Sequence, residues 1–101
     1  YIHVVDLAKG HIAALDYLEN NKGCVTVNLG TGVGYSVLEV VEAYKKASER
    51  DIPVKICPRR PGDIASCYAD ATRAKELFHW TAQYGIDEMC RDAWRFAEKN
   101  M

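Results

Sequence analysis

Two stretches of this chain carry the short, β-branched signature of a strand, and they constrain the rest. Cys24–Leu29 (CVTVNL) lies between Gly23 and Gly30, and Pro53–Cys57 (PVKIC) runs up to a Pro-Arg-Arg-Pro-Gly segment. The opening Tyr1-Ile2-His3-Val4-Val5 also reads like the middle of a strand, and no initiator methionine precedes it, so a fragment of a longer protein is expected. Two or three strands cannot cover both faces of a sheet with so few helices beside them, so this unit is expected to lean on a larger body.

The remaining pattern is helical. Asp6 is placed to cap a first helix, whose apolar residues Leu7, Ala8, Ile12, Leu15 and Leu18 recur until Asn20-Asn21-Lys22-Gly23 stops them. Ser36, followed three residues later by Glu39, predicts a capping box, with Val37, Val40, Val41, Tyr44 and Ala47 along the apolar stripe of a second helix. Asp70 is placed to cap a short third helix through Leu77 and Phe78. Ile86, Met89, Cys90, Ala93 and Ala97, with Trp94 beside them, mark an amphipathic last helix. The fold class is therefore α/β, with few short strands and four helices, in one domain over residues 1–101. No internal repeat or low-complexity linker divides it.

Composition excludes several functions. Apolar residues make up 49% of the 101 residues and charged residues 27%, the proportions of a folded globular chain. A formal charge of −1 leaves no global footprint for nucleic acid or an anionic membrane, so any anion must meet a local cluster. Arg59 and Arg60 form the obvious one. No apolar run is long enough for a membrane span, and a cytoplasmic location is expected. The four cysteines, Cys24, Cys57, Cys67 and Cys90, have neither C-x-x-C spacing nor histidine partners, and free thiols are expected rather than a disulfide or a metal site. His3, His11 and His79 fit no metal or triad pattern and are read as packing or surface residues.

Gly30-Thr31-Gly32-Val33-Gly34-Tyr35 sits between a candidate strand and a capped helix, the layout of a dinucleotide-binding turn. Its spacing is G-x-G-x-G, with Tyr35 where a third glycine is needed for close packing. The simpler reading is a turn whose glycines adopt positive φ. Arg59 and Arg60 likewise have a structural reading, as a solvated pair or as ion-pair partners of Asp63 or Asp70.

Six motifs in register alter the balance. Tyr1-Ile2-His3-Val4-Val5-Asp6-Leu7-Ala8-Lys9-Gly10-His11, Asn28-Leu29-Gly30-Thr31-Gly32, Ser36-Val37-Leu38-Glu39-Val40, Arg59-Arg60-x-Gly62-Asp63, Tyr68-Ala69-Asp70, and Trp80 with Asp87-Glu88-Met89-Cys90 run through nearly the whole chain. Together they resemble the C-terminal part of the UDP-galactose 4-epimerases, NAD-dependent members of the extended short-chain dehydrogenase/reductase family. The resemblance implies a small substrate-binding domain of an enzyme that interconverts UDP-glucose and UDP-galactose through a transient 4-ketone. NAD would be held by an N-terminal Rossmann domain absent from this chain. The family's Tyr-x-x-x-Lys is also absent: Tyr17 precedes Lys22 by five residues, and Tyr44 is followed directly by Lys45. No catalytic residue is therefore expected here, and the isolated chain is not expected to epimerise.

The same resemblance implies roles for single residues. Arg60 would pair with the diphosphate, and Asp63 would accept hydrogen bonds from the ribose hydroxyls, chemistry suited to a guanidinium fork and an ionised carboxylate. Gly62 would let backbone approach the ligand, and Pro61, replacing the family's usual glutamate, would stiffen the turn. Cys67 stands where bacterial epimerases that prefer unacetylated sugars tend to carry tyrosine. Its smaller side chain would leave space for a 2-acetamido group, so UDP-N-acetylglucosamine and UDP-N-acetylgalactosamine are expected as further substrates; it is otherwise a small apolar residue. A family arginine two residues before the position of Tyr1 would supply another diphosphate contact. The resemblance also implies a homodimer of the intact enzyme through helices outside this chain. Two other readings stay open: a dehydratase or decarboxylase of the same superfamily, and a non-catalytic nucleotide-binding module.

Overall fold

Four helices form where the apolar periodicity places them. A computed structural model describes residues 1–101, with α1 at Val4–Asn20, α2 at Val37–Ser48, α3 at Thr72–Phe78 and α4 at Ile86–Lys99. They pack as two pairs, α1 against α3 and α2 against α4. Tyr17 meets Phe78 with ring centroids 5.2 Å apart in the first pair. Buried Ala43 and Cys90 belong to the second, where the Arg50 guanidinium lies 5.1 Å from the Trp94 ring centre.

Caps confirm some starts and correct others. Ser36 Oγ accepts the Glu39 N–H at 3.0 Å, satisfying one of the donors that the first turn of α2 leaves unpaired. At α4 the Glu88 carboxylate folds back to accept the Gly85 N–H at 3.0 Å. The cap of α1 is His3, whose Nδ1 accepts the Val5 N–H at 3.0 Å, and Val4 and Val5 are helical rather than extended. Asp6 lies inside the helix and is completely buried. Ala71 caps α3 in position, while the Asp70 carboxylate just before it accepts from Thr72 N at 3.0 Å. Hydrogen bonds from the Thr72 hydroxyl and N–H hold the Asp70 carboxyl below the usual carboxylate range.

No strand forms, which corrects the α/β expectation. None of the backbone hydrogen bonds outside the helices involves Cys24–Leu29 or Pro53–Cys57. A strand exists only through its ladder, and this chain supplies neither segment with a partner. Cys24–Leu29 instead passes beside two helices: a Cβ built on Gly10 of α1 would lie 2.6 Å from Leu29 Cδ1, and Arg73 of α3 donates to Thr26 O at 3.1 Å. The radius of gyration, 16.6 Å, exceeds the roughly 13 Å of a compact domain this size. Val4, Ile12, Leu15 and Leu18 leave an apolar stripe of α1 open to solvent.

The helix pairs are joined at the start of α1. Both Asp6 carboxylate oxygens lie 3.0 Å from Gln83 N, and Oδ2 also accepts from Tyr84 N at 3.0 Å. Trp80 Nε1 donates to Asp6 O at 3.0 Å, and His3 Nε2 lies 2.8 Å from Asp92 Oδ2. No helix is long and apolar enough to cross a membrane.

Candidate functional site

Arg60, Pro61, Gly62 and Asp63 form one closed turn. Pro61 supplies the fixed φ of its second position, and Gly62, at φ +86°, supplies the left-handed third. The Asp63 N–H donates to Arg60 O at 3.2 Å. Asp63 Oδ2 accepts from Arg60 N at 3.2 Å and Arg60 Nε at 3.1 Å. The ion pair foreseen as the structural alternative thus forms, but it is open to solvent, with Arg60 85% exposed. Such a pair contributes at most about 1 kcal/mol. It engages Nε and Oδ2 only, leaving both terminal guanidinium nitrogens and Asp63 Oδ1 available to a ligand. Arg59 is exposed and forms no ion pair.

Cys67 lies a few residues farther on, in an open groove of about 500 Å³ that it lines with Tyr1, Tyr35, Ile64 and Tyr68. Ile64, which follows Asp63 in the chain, is one of the groove's lining residues. Cys67 is exposed with a free thiol, as are Cys24 and Cys57, whereas Cys90 is buried and free. Burial, reinforced by the Asp87 charge, raises the Cys90 thiol above its ordinary range and leaves it an inert packing group. Tyr1 and Tyr35 were not candidates from sequence, because more than thirty positions separate Tyr35 from Cys67 and no spacing rule reaches that far.

The glycine loop has a packing explanation. A Cβ on Gly30 would lie 2.6 Å from Ala69 Cβ, and one on Gly34 would lie 3.3 Å from the Tyr68 ring. These two glycines admit the neighbouring segment, and only Gly32, at φ +76°, needs the left-handed region. His11 Nδ1 contacts Leu7 O, and His79 ends α3 at φ +55°, so neither histidine joins the site.

Comparison with known proteins gives one consistent picture. The family described as GDP-mannose 4,6 dehydratase matches residues 2–93. UDP-glucose 4-epimerase 3 of Oryza sativa subsp. japonica is 58% identical over 99% of this chain and 27% of its own length. The mouse UDP-glucose 4-epimerase is also 58% identical, over 99% of this chain and 29% of its own. The crystal structure of UDP-glucose 4-epimerase from Bifidobacterium longum, in complex with NAD+ and UDP, superposes with a TM-score of 0.92 at 54% identity, covering 99% of this chain and 30% of that one. The chain spans less than a third of the length of these relatives.

Proposed function

Because the chain belongs to the GDP-mannose 4,6 dehydratase family, we propose that it is the UDP-sugar-binding domain of an NAD-dependent UDP-glucose/UDP-galactose 4-epimerase in the cytoplasm. The observation that carries this reading is the Arg60–Asp63 turn, with its free guanidinium edge and free carboxylate oxygen, inside a chain 58% identical to UDP-glucose 4-epimerases. Residues 1–101 then form the C-terminal domain, and the dinucleotide-binding domain and the catalytic tyrosine and lysine belong to the preceding sequence.

In this reading the chain binds and orients while the chemistry proceeds on the other domain. Arg60 places its two terminal nitrogens on diphosphate oxygens, where a bidentate charge-assisted contact fixes position as well as charge. Asp63 accepts from the ribose hydroxyls through Oδ1, and Gly62 keeps the turn free of a side chain at the point of closest approach. The absence of a Cβ at Gly62 and the φ set by Pro61 preform this geometry before ligand arrives. The cofactor would supply reversible hydride transfer at the sugar. The intact enzyme is a homodimer through surfaces outside this chain.

Two measurements on the full-length protein test the reading. Conversion of UDP-galactose to UDP-glucose is expected, with UDP affinity in calorimetric titration falling at least about tenfold in Arg60→Ala, as for a lost charge-assisted contact. UDP binding that is unchanged in Arg60→Ala would sink the site. Cys67 sets sugar size, so Cys67→Tyr is expected to abolish turnover of UDP-N-acetylgalactosamine while UDP-galactose is still converted. Equal turnover of the acetylated sugar by the wild type and this variant would sink that assignment.

A further inference from the structure

The segment that follows Asp63 is seated on the glycine loop. Gly30 is buried, and a Cβ built on it would lie 2.6 Å from Ala69 Cβ, with Ala69 Cα and O both at 3.6 Å. Contacts on either side continue the same register. A Cβ on Gly34 would meet the Tyr68 ring at 3.3 Å, and Arg73 Nη1 donates to Thr26 O at 3.1 Å. Residues 26–34 therefore run beside residues 68–73 in the opposite sense, and the closest approach is at Gly30. Gly23, Gly32 and Gly62 are the glycines at positive φ, and Gly30 is not among them. Close approach, and not turn geometry, is what excludes a side chain there. The single obstacle to alanine at position 30 is the methyl group of Ala69.

The seated segment carries the candidate site. Ile64 to Tyr68 continue without a break from Asp63 along a groove that Gly34 to Val37 also line. The Arg60–Asp63 turn is closed on itself by its own hydrogen bonds, so it moves as one body with the connection that ends at Tyr68 and Ala69. Asp70 extends the anchorage, its carboxylate accepting from Thr72 N at 3.0 Å at the start of α3.

We propose that Gly30 is a positioning residue for the nucleotide: by admitting Ala69 against its bare Cα, it fixes the downstream end of the segment that carries Arg60 and Asp63, and with it the approach of Arg60 to the diphosphate. The inference rests on the UDP-sugar reading above.

Titration of the full-length protein with UDP, below the melting temperature recorded for each sample, tests it. Gly30→Ala is expected to weaken UDP binding about fivefold, as for a displaced charge-assisted contact. Gly30→Ala/Ala69→Gly moves the methyl from one backbone to the other and removes the overlap, so affinity is expected to return to within about twofold of wild type. In an Arg60→Ala background, Gly30→Ala is expected to cost less than about twofold, because the contact it displaces is already gone. Gly34→Ala, whose methyl meets the movable Tyr68 ring, carries the same test if Gly30→Ala does not fold; a loss of about twofold is expected, and none overturns the proposal. Unchanged UDP affinity in a folded but less stable Gly30→Ala would reduce the contact to scaffolding. An exchange variant as weak as Gly30→Ala alone would show that Ala69 is not what the added methyl displaces. Equal losses from Gly30→Ala with and without Arg60 would show that the glycine does not act through Arg60, and each of these results overturns the proposal. Full UDP affinity in Arg60→Ala would overturn the UDP-sugar site and this proposal together, whereas a loss in Arg60→Ala with none in Gly30→Ala would overturn this one alone.

Discussion

Around the start of α1 the chain ties itself together across great sequence distance, whereas from Arg59 to Tyr68 it closes a single four-residue turn. Asp6 holds Gln83 and Tyr84, 77 and 78 positions away, and Trp80 is bonded back to the Asp6 carbonyl in a buried setting. Arg60 and Asp63 are three positions apart and mostly in water. The first region spends its polar groups on itself, and desolvation makes each of those bonds costly to break. The second keeps its strongest groups for a ligand, so its loss should register in binding and hardly in folding.

The sharpest way to break this contrast is at Asp6. Asp6→Ala leaves the part-buried Gln83 and Tyr84 N–H groups without their acceptor and should cost about 2 kcal/mol of stability, from the penalty for unsatisfied donors. Chemical unfolding of the full-length protein, read by tryptophan fluorescence, measures it. A loss under about 1 kcal/mol, the net value of one ordinary hydrogen bond, would show that the clamp is not special. Gly30→Ala should follow, at about 2 kcal/mol, because the added methyl meets Ala69 Cβ at 2.6 Å, with no flexible side-chain end to yield. Full stability in that variant would mean that the segment at Ala69 moves freely.

The opposite behaviour is expected at Asp63. Removing an exposed pair partner should change stability by less than about 0.5 kcal/mol. UDP affinity, measured on the same Asp63→Ala sample, should nevertheless fall about tenfold with the loss of hydrogen bonds to an ionised acceptor. If stability fell and binding held, the turn would be structural and the contrast between the regions would disappear.

The division also explains what could be read from sequence. The helices were legible because their stripes and caps are local, as Ser36 with Glu39 shows. Asp6 looked like the cap of α1 because aspartate is the better capping type, yet the role fell to His3 and the carboxylate went inward. Its partners lie at residues 83 and 84, beyond any local rule. Cys24–Leu29 and Pro53–Cys57 carry strand chemistry without a strand, since pairing needs a second backbone that pattern cannot supply. In the site, Pro61-Gly62 announced a turn, and the resemblance pointed to Arg60, Asp63 and Cys67. Tyr1 and Tyr35 entered only through folding, because they reach Cys67 from distant parts of the chain.

The smallest expected effect lies at Asp92 of α4, the partner of His3 at the start of α1. The hydrogen bond from His3, with Arg91 and Arg95 nearby, holds its carboxyl below the usual carboxylate range. A carboxyl whose folded-state value is depressed stabilises the fold above its unfolded value, and that contribution is lost as pH falls through the folded one. Stability should therefore be level from neutral pH down to about pH 4 on this account and decline below it. Asp92→Ala should start lower and show a slightly shallower acid decline, read from unfolding midpoints at successive pH values. The difference should be modest, because Asp92 is 37% exposed and solvent screens its partners. Parallel acid declines in the two proteins would show that the Asp92 charge adds nothing to the tie between α1 and α4.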